Sequence, residues 1–226
     1  MKETFSQEIK EELKKMYQQH KRAFDVIIPP VIFIVCNQLL GLLLAGVVAG
    51  GLSLITVVFR LQKKENFWFA VGGLLSTSLA IILAIDTGEA RGFFIPGIIG
   101  DIAITFCALI SIVVKKPLAA WISFFTHRWP LGWYWHPLVR PAYTSVTWVW
   151  LLFFAGKSAI ESTLFILEDI FILTGVQVVF NWPGLIALLI ASYALGRHQL
   201  KKLQGPGVEE FKKGSPPPWR GQEKSF

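Results

Sequence analysis

Charged residues are scarce in this sequence, and its longest apolar stretches have none. Asp, Glu, Lys and Arg make up 16% of the 226 residues, whereas 53% are hydrophobic and the mean hydropathy is +0.52. No charge occurs in the 34 residues from Val26 to Phe59, which excludes a soluble fold for that stretch. Because a helix crosses about 30 Å of hydrocarbon with roughly 20 residues, the stretch suits two short membrane helices.

Cysteine and the usual catalytic motifs are also lacking. The two cysteines, Cys36 and Cys107, both lie in apolar runs, which argues against a disulfide framework. The sequence has no phosphate-binding or dinucleotide-binding glycine loop, no Gly-x-Ser-x-Gly and no His-Glu-x-x-His, and its four histidines have no metal-ligand spacing. No small-residue cleavage site follows the first apolar run, so we expect no cleavable signal peptide. We therefore expect no enzyme, no cofactor and no metal site.

What the sequence does contain is a series of apolar segments that predict an all-α, polytopic membrane domain over residues 26–200. Each segment must be a helix, because backbone polar groups in lipid have no water to bond. The six predicted helices run from Asp25 to a turn at Asn37–Gly41, from Leu42 to Phe59, from Phe67 to Ile85, from Ile95 to Val114, from Pro141 to beyond Glu161, and from about Pro183 or earlier to Arg197. In the second helix, Gly46 and Gly50 form a face that allows close approach of a neighbouring helix.

Three polar or aromatic segments accompany these helices. Residues 1–25 predict an amphipathic cytoplasmic helix, for which a membrane-surface or docking role and a simply solvated helix remain alternatives. Residues 118–141 predict a surface-lying loop with one short helix. Its aromatic rings, Trp121, Trp129, Trp133, Tyr134 and Trp135, belong at the headgroup level. Residues 201–226 predict a flexible, basic and proline-rich tail.

The distribution of Lys and Arg predicts the orientation. Alternate non-spanning segments hold 20 of the 22 basic residues, and the intervening segments hold 2. The positive-inside rule then places both termini in the cytoplasm. The net charge of +7, distributed in this way, indicates an anionic membrane surface rather than nucleic acid as the partner, with Lys115 and Lys116 contacting lipid headgroups.

A few polar residues fall inside the predicted spans. Asp101 lies in the outer half of the fourth helix, where a carboxylate is costly and is by default a functional hypothesis, such as an ion or proton site. Lys157 and Glu161 are spaced i, i+4 on the outer end of the fifth helix. The topology allows Asp101, Lys157, Glu161 and Asn37 to form an outer-leaflet polar site. The structural alternatives are a shallow or protonated Asp101 and a snorkelling lysine with a surface partner.

The turn between the third and fourth helices is also charged. Asp86, Glu89 and Arg91 can form a local ion pair, and Gly88 and Gly92 supply tight backbone bends. Arg91 is one of only two basic residues on the outer side, which suggests that it has a partner. We interpret this segment as a structural turn.

The motif from Gly88 to Pro96, followed by an apolar helix and Lys115-Lys116-Pro117-Leu118, resembles the actinobacterial membrane family called domain of unknown function 3159. The sequence is also similar to intracellular septation protein A, an inner-membrane-spanning protein. The likeness extends through Ile28-Pro29-Pro30, Arg60 to Lys64, Tyr143 to Trp148 and Tyr193 to His198, and leaves out the N-terminal arm and the tail after about Leu203. The sequence departs from the first family at Asp101, where an amide is more usual, and at Lys157, where an arginine is common.

The resemblance implies a bacterial cytoplasmic (inner) membrane protein with a role in cell-envelope integrity, septation or membrane homeostasis, and implies no catalytic residues. Our leading hypothesis is a non-enzymatic protein that acts through contacts with lipids, other membrane proteins or further copies of itself. A small transporter or channel that uses the outer-leaflet polar site is the first alternative, supported by a likeness between residues 24–32 and 92–99 that suggests two three-helix halves. An accessory subunit of a larger membrane complex is the second.

Overall fold

The computed structural model describes residues 32–62 and 67–220, and every regular element in these ranges is a helix. We number the helices α1 (32–40), α2 (Leu42–Gln62), α3 (Phe67–Thr87), α4 (Ile95–Val113), α5 (Leu118–His127), α6 (Leu131–Tyr134), α7 (Arg140–Ile166), α8 (Ile170–Leu203) and α9 (Val208–Lys212). A 3-10 turn at Ala90–Phe94 precedes α4. The predicted amphipathic arm, residues 1–25, lies outside the described residues.

Four helical segments of the described chain are long and apolar enough to cross a membrane. They are Leu42–Phe59, Ala90–Val113, Arg140–Ile166 and Ile170–Leu203, and a shorter apolar stretch covers Val71–Thr87. The protein is therefore an all-helical, membrane-embedded protein. The number of six spans stays a prediction, because much of the first predicted span lies outside the described residues.

The largest differences from the predicted boundaries are at the two ends of the last long helix. The last long helix begins at Ile170 rather than near Pro183, which lies inside α8. Proline cannot donate a backbone hydrogen bond and is usually a sign of a helix start or break. The helix nevertheless continues through it, because apolar residues on both sides favour one long helix over a break in lipid. The same helix ends at Leu203, six residues beyond the predicted end at Arg197.

The chain divides into two compact units. The first comprises Met1–Gly97 and Leu164–Val178, and the second comprises Ile98–Thr163 and Val179–Phe226. Each is described separately below.

In the first unit, small residues bring α2 and α3 together. A Cβ atom added to Gly46 would lie 3.0 Å from Cγ2 of Ile81, and one added to Gly50 would lie 3.4 Å from its Cδ1. Four alanines of these two helices, Ala45, Ala49, Ala80 and Ala84, are also buried. Since lipid provides no hydrophobic driving force between helices, this close packing is what stabilises the pair. The predicted role of Gly46 and Gly50 is confirmed.

In the second unit, the aromatic segment after α4 forms a packed core. Trp133 and Tyr134 are fully buried and cluster with Ala120, Val139, Ala142 and Leu200. The Tyr134 hydroxyl lies 3.1 Å from Oγ of Ser123, and burial raises the pKa of Tyr134 whereas this hydrogen bond acts in the opposite direction. Trp133 and Tyr134 are thus buried among protein partners that satisfy their polar atoms. Their position at the headgroup level stays a prediction.

The segment after α8 packs on this aromatic core. Nε1 of Trp133 donates a 2.8 Å hydrogen bond to the Pro206 carbonyl, and Gly132 lies against the ring of Phe211. The short helix α9 begins after Gly207, whose N–H donates to Oε2 of Glu210. The composition of residues 201–226 predicts a flexible tail, but residues 201–220 extend α8 and then fold onto α6. The structure differs from the prediction because the apolar surface on which residues 201–220 pack is formed by another part of the chain.

Candidate functional site

The polar residues of the second unit meet in one buried cluster. Asp101 lies on the second turn of α4, Lys157 and Glu161 lie one helical turn apart on α7, and Asn181 lies in α8. The exposed fraction of each ionisable residue is small, at 7% for Asp101, 5% for Lys157 and 0% for Glu161. We call these four residues the ionic cluster.

Lys157 is the centre of the ionic cluster. Its Nζ donates a 2.7 Å hydrogen bond to Oδ2 of Asp101 and a 2.6 Å hydrogen bond to Oδ1 of Asn181. These short distances are typical of charge-assisted hydrogen bonds. The ammonium therefore connects α4, α7 and α8 at one point, and two of its three N–H groups have good acceptors.

Glu161 is less well satisfied than its neighbours. Its Oε1 lies 3.5 Å from Nζ of Lys157, which is an ion-pair distance without the geometry of a hydrogen bond. Within the part of the chain that the structure describes, neither of its carboxylate oxygens accepts a hydrogen bond. A fully buried carboxylate without such partners is costly, so this group is the unusual feature of the ionic cluster.

The predicted polar site is therefore assembled in part. The structure brings Asp101, Lys157 and Glu161 together, whereas Asn37 is a half-buried residue of α1 in the first unit, so its share in the site stays a prediction. Sequence reasoning missed Asn181, because it placed the start of the last helix at Pro183. A polar amide inside an apolar stretch was the signal that could have identified it.

An apolar groove of about 500 Å³ lies between α7 and α8 in the same unit. Phe153, Phe180 and Pro183 are among its lining residues. Phe153 is one helical turn from Lys157, and Phe180 is adjacent to Asn181 in sequence, so the groove neighbours the ionic cluster. Since Pro183 has no N–H to donate to the Val179 carbonyl, α8 lacks one backbone hydrogen bond at this point.

The predicted structural turn belongs to the first unit. Arg91 pairs with Glu89, donates to Oε1 of Glu168 at 3.0 Å, and lies over the ring of Phe165 at 5.3 Å. Gly88 has φ +70°, and a Cβ atom on Gly92 would lie 2.5 Å from Oγ1 of Thr87. The partners expected for Arg91 are thus present, whereas Asp86 is exposed and makes no ion pair among the described residues. This arrangement fits a structural role.

The predicted lipid contacts, Lys115 and Lys116, are exposed residues of the turn between α4 and α5. This turn is held by the hydroxyl of Ser111, which accepts a 3.0 Å hydrogen bond from the backbone N–H of Leu118. Among the described residues, no group of three or more His, Cys, Asp or Glu side chains is arranged to hold a metal ion.

Comparison with known proteins identifies a family for this chain but does not identify an activity. A family model described as "Protein of unknown function (DUF3159)" matches residues 21–203. No curated protein and no solved structure matches the chain. The resemblance to intracellular septation protein A stays a prediction.

Proposed function

This chain belongs to the DUF3159 family, whose description assigns no activity, and we propose from its ionic cluster that it is a non-enzymatic transporter or channel for a small cation. The observation that carries the proposal is the buried Glu161 carboxylate, which accepts no hydrogen bond from the described residues. Ionisable residues inside a membrane are expensive, and they commonly mark ion or proton pathways.

The charge count of the ionic cluster supports this proposal. Two carboxylates, Asp101 and Glu161, surround the single ammonium of Lys157. With all three groups ionised, the ionic cluster carries one net negative charge in an environment nearly free of water. Because an uncompensated buried charge is strongly unfavourable, such a site gains stability by taking up one further positive charge.

The form of α8 also supports transport. Asn181, which accepts a hydrogen bond from Lys157, lies two residues before Pro183. A proline inside a membrane helix leaves a backbone carbonyl without its helical partner, and in transporters such backbone groups near a polar site line the pathway. The apolar groove beside Phe153 and Phe180 provides a space next to this point.

We place this function in the bacterial cytoplasmic membrane, with six spans and both termini in the cytoplasm. The support is the family likeness and the alternation of Lys and Arg, of which 20 lie in one set of segments and 2 in the other. In this arrangement the first predicted helix, which begins at Asp25, and α3 supply the two spans beyond the four that meet the length and composition criteria. The ionic cluster then lies in the outer leaflet.

A flux assay tests the proposal. The purified full-length protein is reconstituted in liposomes that contain a pH-sensitive or cation-sensitive dye, and a membrane potential is imposed with a potassium ionophore. We expect a cation flux above that of empty liposomes. Asp101→Asn and Glu161→Gln should each reduce it to the background, because each removes one carboxylate with little change in shape.

The matched control is Glu209→Gln, which neutralises an exposed carboxylate of α9 in the same unit. It should transport like the unsubstituted protein. Flux indistinguishable from empty liposomes for every cation tried would contradict a transport function. Full flux in both cluster variants would show that the ionic cluster is not the transport pathway.

An envelope role through lipid or protein contacts is the second candidate. It is favoured by the ordered segment 205–220, which folds over the aromatic core rather than extending into solvent, and by the exposed lysines Lys115 and Lys116. An ordered face of this kind suits anionic lipids, a partner membrane protein, a second copy of the chain or a larger complex.

Removal of residues after Gly205 should then release such a partner in detergent pull-downs and alter septa or envelope integrity in cells. Normal septa and unchanged partners would argue against this role.

A further inference from the structure

We propose that the ionic cluster binds one proton, and that Glu161 is the residue that carries it. The inference deepens the transport function and rests on it for its physiological role, because it names the cation. Asp101 is then the permanent counter-ion of Lys157, and Asn181 holds the ammonium in place.

The position of Lys157 disfavours a metal ion at the ionic cluster. Its ammonium lies 2.7 Å from Oδ2 of Asp101 and 2.6 Å from Oδ1 of Asn181, so it already occupies the place between these two oxygens that a metal ion would take. A metal ion bound at Glu161 would lie close to this ammonium and would be repelled by it. The geometry therefore disfavours an alkali or alkaline-earth cation at the ionic cluster.

The surroundings of Glu161 provide too few ligands for a metal ion. Calcium takes six to eight oxygen ligands and magnesium demands a near-octahedral set, whereas a proton needs a single oxygen. Glu161 is fully buried, and the described residues around its carboxylate provide no hydrogen bond to either oxygen. A proton is the one cation that this environment can accept without further ligands.

Protonation of Glu161 neutralises the net charge of the ionic cluster. A proton from water adds to one carboxylate oxygen of Glu161, forming an O–H bond, and no electrons are exchanged. The net charge of the ionic cluster then changes from minus one to zero. The charged groups that face Glu161 are Lys157 on its own helix and Asp101 on α4, while α8 contributes the neutral amide of Asn181. Release of the proton restores the negative charge. The ionic cluster therefore has two charge states, which suits the coupling of proton binding to transport.

Infrared difference spectroscopy of the purified full-length protein in detergent tests this assignment. A protonated carboxylic acid has a carbonyl stretch that is separate from that of a carboxylate and shifts in heavy water. We expect such a band near neutral pH, where exposed carboxylates are ionised. Glu161→Gln should abolish it, and Glu209→Gln should leave it unchanged.

Asp101→Asn provides a second readout that does not depend on the Glu161 variant folding. Removing the neighbouring like charge leaves Glu161 as the partner of Lys157, so its band should disappear at a lower pH than in the unsubstituted protein. A purely structural cluster, with both carboxylates always ionised, shows no band in either protein.

The outcomes separate the two proposals. Absence of the band at neutral pH, or its persistence in Glu161→Gln, overturns the proton assignment. If the band behaves as expected but liposomes show no flux, the proton site stands and the transport function fails. If flux persists in Glu161→Gln while the band is lost, transport stands and Glu161 is not its carrier.

Discussion

At the scale of single residues, the pair formed by Asp101 and Lys157 illustrates how expensive a buried charge is once it loses its partner. Both side chains are more than nine-tenths buried, and Nζ and Oδ2 are 2.7 Å apart. Replacing such a pair with apolar groups often costs little, whereas removing one partner strands the other charge. The cost of separating Asp101 from Lys157 can therefore be measured as a loss of stability, independently of transport.

We predict that Lys157→Met destabilises the protein by roughly 3–5 kcal/mol, because it leaves Asp101 as an unpaired buried charge. Asp101→Ala should cost less, because Glu161 remains as a partner for Lys157. The double variant should lose less than the sum of the two. Unfolding of the purified protein in a fixed mixture of detergent and denaturant measures these free energies. The exposed pair of Glu209 and Lys212, at 3.0 Å, is the control, and breaking it should cost at most about 1 kcal/mol. Strictly additive losses in the double variant would contradict a coupled pair.

The sequence predicted part of this site and missed another part for a physical reason. The i, i+4 spacing of Lys157 and Glu161 depends only on local helix geometry, so it could be predicted. The proximity of Asp101 to Lys157 and Glu161 could also be predicted, because it followed from the expected direction of each helix in the membrane. Asn181 was missed because local sequence alone does not distinguish a proline inside a membrane helix, such as Pro183, from one at the beginning of a helix.

At the scale of elements, the segment 205–220 is held by one close backbone contact as well as by the Trp133 hydrogen bond. A Cβ atom on Gly205 would lie 2.9 Å from the carbonyl oxygen of Leu138 and 3.1 Å from its Cβ. Real Cβ atoms rarely approach backbone atoms so closely, and the backbone of Leu138 cannot move away as a flexible side chain could. Glycine is therefore required where the chain passes from α8 to α9.

We predict that Gly205→Ala loosens the segment that contains α9 without unfolding the membrane helices. Limited trypsin digestion in detergent measures this, because Lys212 and Lys213 lie in that segment. Cleavage there should become several-fold faster. Gly156→Ala is the control, since a Cβ atom on Gly156 has nothing within 4 Å. Equal cleavage rates in the two variants would show that this contact does not hold the segment.

The ordering of this segment could not be predicted, whereas the pairing of α2 with α3 could. Gly46 and Gly50 lie on one helical face, so their small size directly indicates a close helix contact. The segment after Leu203 has few apolar residues, and the aromatic surface that receives them is built from Trp133 and its neighbours more than 70 positions earlier. Its composition alone therefore resembles that of a flexible tail.

At the scale of the whole molecule, topology decides what the ionic cluster can do. Asp101 lies near the start of α4, and Glu161 lies near the end of α7. If these helices cross in opposite directions, both residues are nearest to the same face of the membrane, and with both termini in the cytoplasm that face is the outer one. A proton taken up there would come from outside the cell.

We predict that the turn before α4 and the end of the chain lie on opposite faces. Single cysteines at Asp86 and at Lys213, in a protein with Cys36→Ala and Cys107→Ala, should react with a membrane-impermeant maleimide from opposite sides in intact cells and inverted vesicles. Both positions are exposed in their own units, so their labelling reports the face of the membrane rather than burial. The protein without cysteines is the control for background labelling. Labelling of both positions from one face alone would require an even number of crossings between them. Six spans would then be wrong, and Glu161 would have to take its proton from the cytoplasm or along a path through the protein.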